Sequence, residues 1–372
     1  MAVRTVGVEE EFLLVDPDSG RARACSAAVL RFSEGAVVTG SAELQREQIE
    51  IETRPCSSLA ELAGEIGRQR RSVVEVAQRA GVEVVSLASS PLPADPSLSP
   101  GARYERMGER FGVTAHEALT GGCHVHVEVD SDDEGVAVLN RIRPWLPSLL
   151  AISANSPFWQ GEDTGYASFR SQAWTRWPSA GPTGDFESTQ DYHTLVSEML
   201  DCGVLLDEKM VYFDARLSQA YPTVEVRVAD VCLRGDDAVL VAALTRALVE
   251  TAAREWRCGG SYRPTRIEVM RLAMWRAGRS GHSAELLDPR SGRPSPAEEV
   301  LAALIEHTRS ALSDAGELEL VAHWLCEVLS RGGGAAEQRK IESSSGRLEA
   351  VVKAAASAMV ADLQPWSVSN GR

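Results

Sequence analysis

Seven residues on four short, otherwise apolar stretches have the types and spacing for metal and phosphate chemistry. The first stretch, "VGVEEEFLLV" (residues 6–15), sets Glu9, Glu10 and Glu11 among β-branched, aromatic and long aliphatic side chains, and the turn signal "DPDSG" follows it. In a strand, side chains alternate faces, so Glu9 and Glu11 point one way and Glu10 the other. Two like carboxylates side by side repel unless a cation neutralises them or one keeps a proton. The alternative is a solvated edge strand, where charge discourages aggregation.

Three further stretches repeat the motif of polar groups on strands. In "ELQREQIEIET" (residues 43–53), Ile49 and Ile51 alternate with Glu50 and Glu52. "CHVHVEV" (residues 123–129) places His124, His126 and Glu128 on one face, and "YPTVEVRVADVC" (residues 221–232) opposes Glu225 and Arg227 to Val224, Val226 and Val228. If the four strands are neighbours, one sheet face carries Glu9, Glu11, Glu50, His124, His126, Glu225 and Arg227, a set no apolar core tolerates. Such a face should hold metal. Oxygen-rich ligands favour Mg²⁺ or Mn²⁺ over zinc, with His124 compatible with Mn²⁺. Mg²⁺ normally arrives with phosphates, so the face can also take ATP, and Arg227 offers a fixed positive fork for a transferring phosphoryl group.

The elements that must position these residues are separated strands with helices between them, followed by a helical last third. "SSLAELAGEIGRQRRSVVEVAQRAG" predicts a helix with serine caps, stopping at Gly81 before the strand "VEVVSLA". Pro91, Pro93, Pro96 and Pro100 predict a loop, and Pro144 and Pro147 divide the helix that follows residue 130. "YFDARLSQ" reads as a strand. Helices are expected over about residues 236–256, 265–276, 296–314, 318–331 and 335–363, with a break at Gly332 to Gly334 that is either a flexible interruption or a phosphate contact. Residues 155–185 form a long aperiodic loop rich in Gly, Pro, Trp, Arg and Ser, and loops of that length are usually functional. Arg170 and Arg176, with Tyr166, Trp174 and Trp177, are candidates there for gripping a substrate carboxylate and closing the site; the alternative is a packed surface loop of stacked Arg–aromatic pairs. The order of elements predicts an α+β fold with an antiparallel or mixed sheet in a single catalytic domain spanning residues 1–372, strand-rich to about residue 235 and helical beyond.

Composition excludes several function classes. The chain has 372 residues and a net charge of −15 from 53 acids and 38 basic residues, without a Lys/Arg-rich block, so no nucleic acid partner is expected. The seven cysteines are scattered and never form C-x-x-C, which suggests neither zinc nor a disulfide framework. No apolar run approaches the roughly 18 residues that span a bilayer, and no leader pattern opens the chain, so a cytoplasmic protein without a membrane partner is expected. There is no G-x-x-x-x-G-K-[ST] loop and no G-x-G-x-x-G after a strand. A homo-oligomer is compatible with all of this.

The segments "GVEEEF", "ELQREQIEIET", "GCHVHVEV", "ANSPFWQGEDTGYASFRSQAWTRWPSAGP", "PTVEVRVAD", "MWRAGRSG" and "GGGAAEQR" resemble, in order and over nearly the whole chain, the carboxylate–amine ligases of the glutamate–cysteine ligase type 2 group, within the glutamine synthetase-like superfamily. The resemblance implies a curved, mainly antiparallel sheet flanked by helices, with ATP and divalent ions on its concave face. It implies that Glu9, Glu11, Glu50, His124 and Glu225 match the metal set and that Arg227 meets the transferred phosphate. It further implies catalytic roles for Arg227, Glu225 and Glu11, nucleotide contacts from Arg276, Gln338 and Arg339, and substrate contacts from Tyr166, Arg170, Trp174 and Arg176. The chain departs from the family pattern at "SLASSPLP" (residues 86–93), at "FDARLSQ" and at Ala336 and Glu337. The implied reaction joins a small carboxylic acid to an amine through an acyl phosphate made from ATP. A phosphotransferase that stops at the phosphorylated product, or a catalytically silent ligand-binding relative, are the competing readings.

Overall fold

The computed structural model describes residues 3–33 and 40–361. Its main sheet contains β1 (Val6–Val15), β2 (Gly40–Ala42), β3 (Gln48–Glu52), β4 (Glu83–Val85) and β5 (Gly122–Glu128). After a short pair, β6 (Phe158–Trp159) and β7 (Glu162–Asp163), the sheet is completed by β8 (Ala215–Leu217) and β9 (Thr223–Asp230). The spatial order is β2-β3-β1-β5-β9-β8, with β4 also paired to β1, and every pairing is antiparallel. The α+β expectation therefore holds, and the four motif strands are neighbours.

Register fixes which side chains meet. Glu9 lies opposite Glu52 on β3 and His124 on β5, Glu11 opposite Glu50, and Glu225 opposite both His126 and Arg216. These partners stand on one face. The intervening residues Val6, Val8, Cys123, Val125, Val127, Val224 and Val226 are buried on the other face in the main core. There the sheet packs against helices Leu59–Arg79 and Gly235–Arg257. Glu10 belongs to this helix side. Its carboxylate accepts from Arg70 Nε at 3.0 Å, and Arg70 also donates to the carbonyls of Cys232 and Leu233, so the only acid of the run that enters the core arrives fully paired.

The serine caps fold as read. Ser58 Oγ accepts from the Glu61 amide while the Glu61 carboxylate accepts from the Ser57 amide, satisfying donors that the first helical turn leaves open. The prolines divide the following helix into Asp132–Ile142, a 3₁₀ turn Arg143–Trp145, and Leu146–Ser153. Helices Gly235–Arg257, Ile267–Ser280, Ala297–Asp314 and Leu318–Arg331 match the helical last third. The final expected helix instead splits into Gly334–Ser345 and Leu348–Met359, because Gly346 takes φ +67°, which ends a helix. The expected extension to residue 363 lies partly outside the described residues.

Other differences have local causes. The strand read over residues 43–53 is paired only over Gln48–Glu52, and the preceding residues turn across its end. Helices Ala102–Phe111 and Val113–His116 follow the proline loop, each too short and polar to stand out by periodicity. The long loop is not structureless. It holds the β6–β7 pair and the helix Phe169–Trp174, whose N-cap Ser168 accepts from Ser171 N. Among the described residues no helix is long and apolar enough to cross a membrane.

Candidate active site

The polar face of the sheet floors a cavity of about 400 Å³ lined by Glu9, Glu11, Glu43, Glu50, His124, His126, Glu225 and Arg227, with Tyr104, Trp174, Tyr212 and Arg216 around them. Two groups of ligand atoms lie within 4.8 Å of one another: Glu9, His124 and Glu225, and Glu11, Glu50 and His124. All five residues the resemblance assigned to metal are thus brought together, and His124 belongs to both groups.

The local contacts show how the strands aim these groups. His124 Nδ1 lies 3.2 Å from Glu9 Oε2, while its buried Nε2 has no hydrogen-bond partner and stands 3.8 Å from Glu11 Oε1. Burial first, and then the charge of Arg227, hold the His124 imidazole below its ordinary value, so it is neutral and can donate a lone pair. Glu9 also meets His126 Nε2 at 3.1 Å, and both histidines hold its carboxyl far below the usual range against the opposing effect of burial. Glu11 Oε2 accepts from the Gly122 amide at 2.6 Å. Glu225 is gripped by Arg216 Nε at 2.7 Å and by Arg227, and these two guanidiniums overcome burial to keep it ionised.

A β-bulge directs Arg227. Between Cys123 and Val125 the partner on β9 jumps from Ala229 to Val226, so one extra residue is inserted near Arg227 and Val228. The Arg227 amide bonds to Asp214 O at 2.9 Å, and its guanidinium reaches Glu225 and, at 3.4 Å, His124 Nδ1. The arginine fork therefore stands beside the metal-ready groups on the same face.

Sequence reasoning missed several contributors. Glu43 lies seven residues before Glu50 in the same acidic segment, but it reaches the cavity from the turn before β3, where strand alternation says nothing. Arg216 could be recognised only through its register with Glu225. Asp230 is fully buried and accepts from Asn155 N, Ser156 Oγ and Ser168 Oγ at 2.7–2.8 Å, with Arg170 Nη1 3.9 Å away. That one carboxylate ties the long loop to the end of β9.

Of the expected substrate residues, Trp174 lines the cavity, and Arg170 is buried beneath it, donating to the carbonyls of Arg227 and Val228. Arg176 instead pairs with Glu117 near the surface, and Tyr166 bonds Trp275 Nε1 at 3.2 Å; neither lines the cavity. The three residues expected at the nucleotide are engaged within the protein. Gln338 is buried and donates to Asn155 O and Oδ1, Arg339 clasps Asp163 and Tyr166 O, and Arg276 faces Glu285 at 3.3 Å. These contacts fasten loops and helices away from the sheet face. The Gly332 to Gly334 segment is a helix break in which Gly334 packs against Asn155; a Cβ there would lie 2.2 Å from Asn155 Oδ1.

Two expected results follow from this geometry. A Cβ on Gly122 would fall 2.3 Å from Arg170 Nη2 and 2.9 Å from His124 Nε2. Gly122→Ala should therefore cost about 1–3 kcal/mol in urea unfolding and weaken divalent-ion binding at least tenfold; unchanged ion affinity would show that the contact is unimportant. The second concerns pH. Burial first, and then the Glu11 charge, push the Glu43 carboxyl up to about 7, and Glu50 is raised in the same way, by burial first and then by the Glu43 charge. A carboxyl with a raised folded-state value contributes full stability below its unfolded value and loses it as pH rises through the folded value. His124 opposes this, since a lowered histidine favours the fold as pH rises. With the acids dominant, the melting temperature without metal should fall between about pH 5 and pH 8, and Mg²⁺ should flatten the fall. A rise across that window in the absence of metal would contradict the like-charge account.

The arrangement of this antiparallel sheet and its helices is shared with solved structures. The fold matches a bifunctional glutathione synthetase from Pasteurella multocida with TM-score 0.68 and 17% identity, covering 96% of this chain and 52% of that one. It also matches a glutamate–cysteine ligase from Francisella tularensis in complex with AMP, with TM-score 0.67 and 12% identity, covering 99% and 91%. The chain belongs to glutamate-cysteine ligase family 2, whose model matches residues 5–354. A "Putative glutamate--cysteine ligase 2" of Streptomyces coelicolor is 52% identical over 355 residues, covering 95% of this chain and 98% of its relative. A "Putative glutamate--cysteine ligase 2-1" of Nocardia farcinica is 41% identical over 372 residues, covering 100% and 97%.

Proposed function

We propose that this protein is an ATP-dependent carboxylate–amine ligase of the glutamate–cysteine ligase type, acting on a small carboxylic acid and an amine or amino acid. The observation that supports this most is the meeting, on one sheet face, of Glu9, Glu11, Glu50, His124 and Glu225 with Arg227. The residues fit a hard divalent cation: crowded acids push one another's carboxyls up, and His124 keeps a buried Nε2 without a partner. Glu9, His124 and Glu225, or Glu11, Glu50 and His124, would hold the ion, since a neutral imidazole has one lone pair to give, with Glu43 beside them. Mg²⁺ or Mn²⁺ bound there would neutralise phosphate oxygens.

The chain's own part in the reaction is positioning and charge. Arg227 is fixed by Glu225, His124 and the bulge, so its fork is ready for the phosphoryl group passing from ATP to the substrate carboxylate. Trp174 and Tyr212 wall the cavity and exclude water from an acyl phosphate, which the amine then converts to the amide with release of phosphate. The scattered free thiols suit a cytoplasmic setting. The test is a screen of acid and amine pairs for ADP and phosphate release with Mg²⁺ or Mn²⁺. Release that requires both substrates supports ligation, release with the acid alone points to a phosphotransferase, and none with any pair argues against turnover.

A further inference from the structure

Behind Trp174 and Trp177 lies a second cavity of about 390 Å³, and it shares Arg227 and both tryptophans with the first. Its walls include Phe213, Met274, Trp275 and Pro178, so they are largely aromatic and apolar. One acid lines it. Asp214 keeps part of its surface exposed, but its Oδ2 is sealed from solvent and has no hydrogen-bond partner. A buried carboxylate oxygen left unmatched costs free energy that a protein normally avoids. Burial pushes this carboxyl up to about 7, against the pull of Arg170.

The acid is held at a meaningful place. Its backbone carbonyl accepts from the Arg227 amide at 2.9 Å, so Asp214 sits one strand away from the residue set to meet the phosphoryl group. The other charges at this cavity are mostly committed. Arg170 donates to two carbonyls and faces Asp230, and Arg227 is paired with Glu225, whereas Arg271 is exposed at the rim. The one acid at this cavity, Asp214, is therefore an acceptor whose carboxylate has no committed cation, and it suits a cation with an apolar body.

We propose that this second cavity receives the amine substrate, a primary amine with a bulky apolar body whose ammonium group meets Asp214. The proposal rests on the ligase reading above. Asp214 takes one proton from the ammonium. The freed nitrogen lone pair attacks the acyl carbon of the acyl phosphate, and the carbon–oxygen bond to phosphorus breaks with its electron pair going to phosphate. The departing phosphate takes the second nitrogen proton, the product is the amide, and Asp214 returns its proton to water. The aromatic walls favour a large apolar amine over a small polar one, because a small amine would leave most of the cavity to water.

The experiment uses phenethylamine as probe. Binding is read from tryptophan fluorescence, and the two half-reactions are separated by oxygen-isotope scrambling of ATP with the acid alone and by amine-dependent phosphate release. Asp214→Asn should weaken phenethylamine binding at least tenfold and lower the ratio of amine-dependent release to scrambling by at least tenfold. Trp275→Ala, on the partly exposed wall, should raise the KM for the amine about threefold or more and serves if the asparagine variant does not fold. Equal probe affinity in wild type and both folded variants would overturn the assignment, as would a parallel fall of scrambling and release. If wild type binds the probe through Asp214 but neither scrambles ATP nor releases phosphate with any acid, the cavity stands and the ligase reading fails.

Discussion

Arg227→Lys is expected to lower the phosphoryl-transfer rate by about 10²–10³-fold while leaving the fold intact. The guanidinium is held by Glu225 and His124 Nδ1, and the backbone that carries it is set by the bulge and by the bond from the Arg227 amide to Asp214 O, so its remaining nitrogens point from a fixed frame. Lysine keeps the charge but supplies a single flexible donor group, and it cannot bridge Glu225 and a phosphoryl oxygen in the same geometry. Its loss should appear as reduced ADP formation at saturating ATP, with KM for ATP changed far less, because the missing interaction strengthens as charge moves in the transition state. The same rate in the lysine variant would show that position 227 needs only a charge. A matching loss of thermal stability would show that the arginine serves the fold. Glu225 differs from the other ligand candidates here. Its carboxylate balances both Arg216 and Arg227, so Glu225→Gln should destabilise the metal-free protein as well as impair it, since two buried guanidiniums lose their counter-charge.

Adjacent acids on β1 should behave in opposite ways. Glu10→Gln leaves Arg70 buried with a neutral partner, and breaking one side of a buried pair costs about 3–5 kcal/mol, enough to unfold a marginal domain near body temperature. Glu11→Gln removes a charge from a crowded face where Glu43 and Glu50 are already pushed towards protonation. It should abolish divalent-ion-dependent turnover and leave the melting temperature of the metal-free protein unchanged or higher. Urea unfolding of the two variants, with and without Mg²⁺, distinguishes the cases. If Glu10→Gln is as stable as wild type, the buried pair contributes nothing net. If Glu11→Gln is the less stable of the two, Glu11 is a structural acid and the account of the face is wrong.

The contrast between Glu10 and its neighbours was present in the sequence, since alternation along a strand is a local property of the backbone. So were the strand identities of the Glu, His and Arg motifs, the serine-capped helix, the proline division of the next helix and the helical last third, because each follows from side chains within a few residues of one another. Family membership was legible for the same reason: it resides in ordered local segments. Tertiary structure alone decided which strands are neighbours, and with that the register that sets Arg216 and His126 against Glu225. It alone brought Glu43 in from a turn, tied the long loop to Asp230, and sent Arg176, Gln338, Arg339 and Arg276 to fasten other parts of the fold. Arginine is compatible with either fate, a substrate contact or a strut, and only the position of its carboxylate or carbonyl partner in space determines which. The β9 bulge is likewise silent in the residue pattern, because the extra residue exists only relative to the partner strand across the sheet.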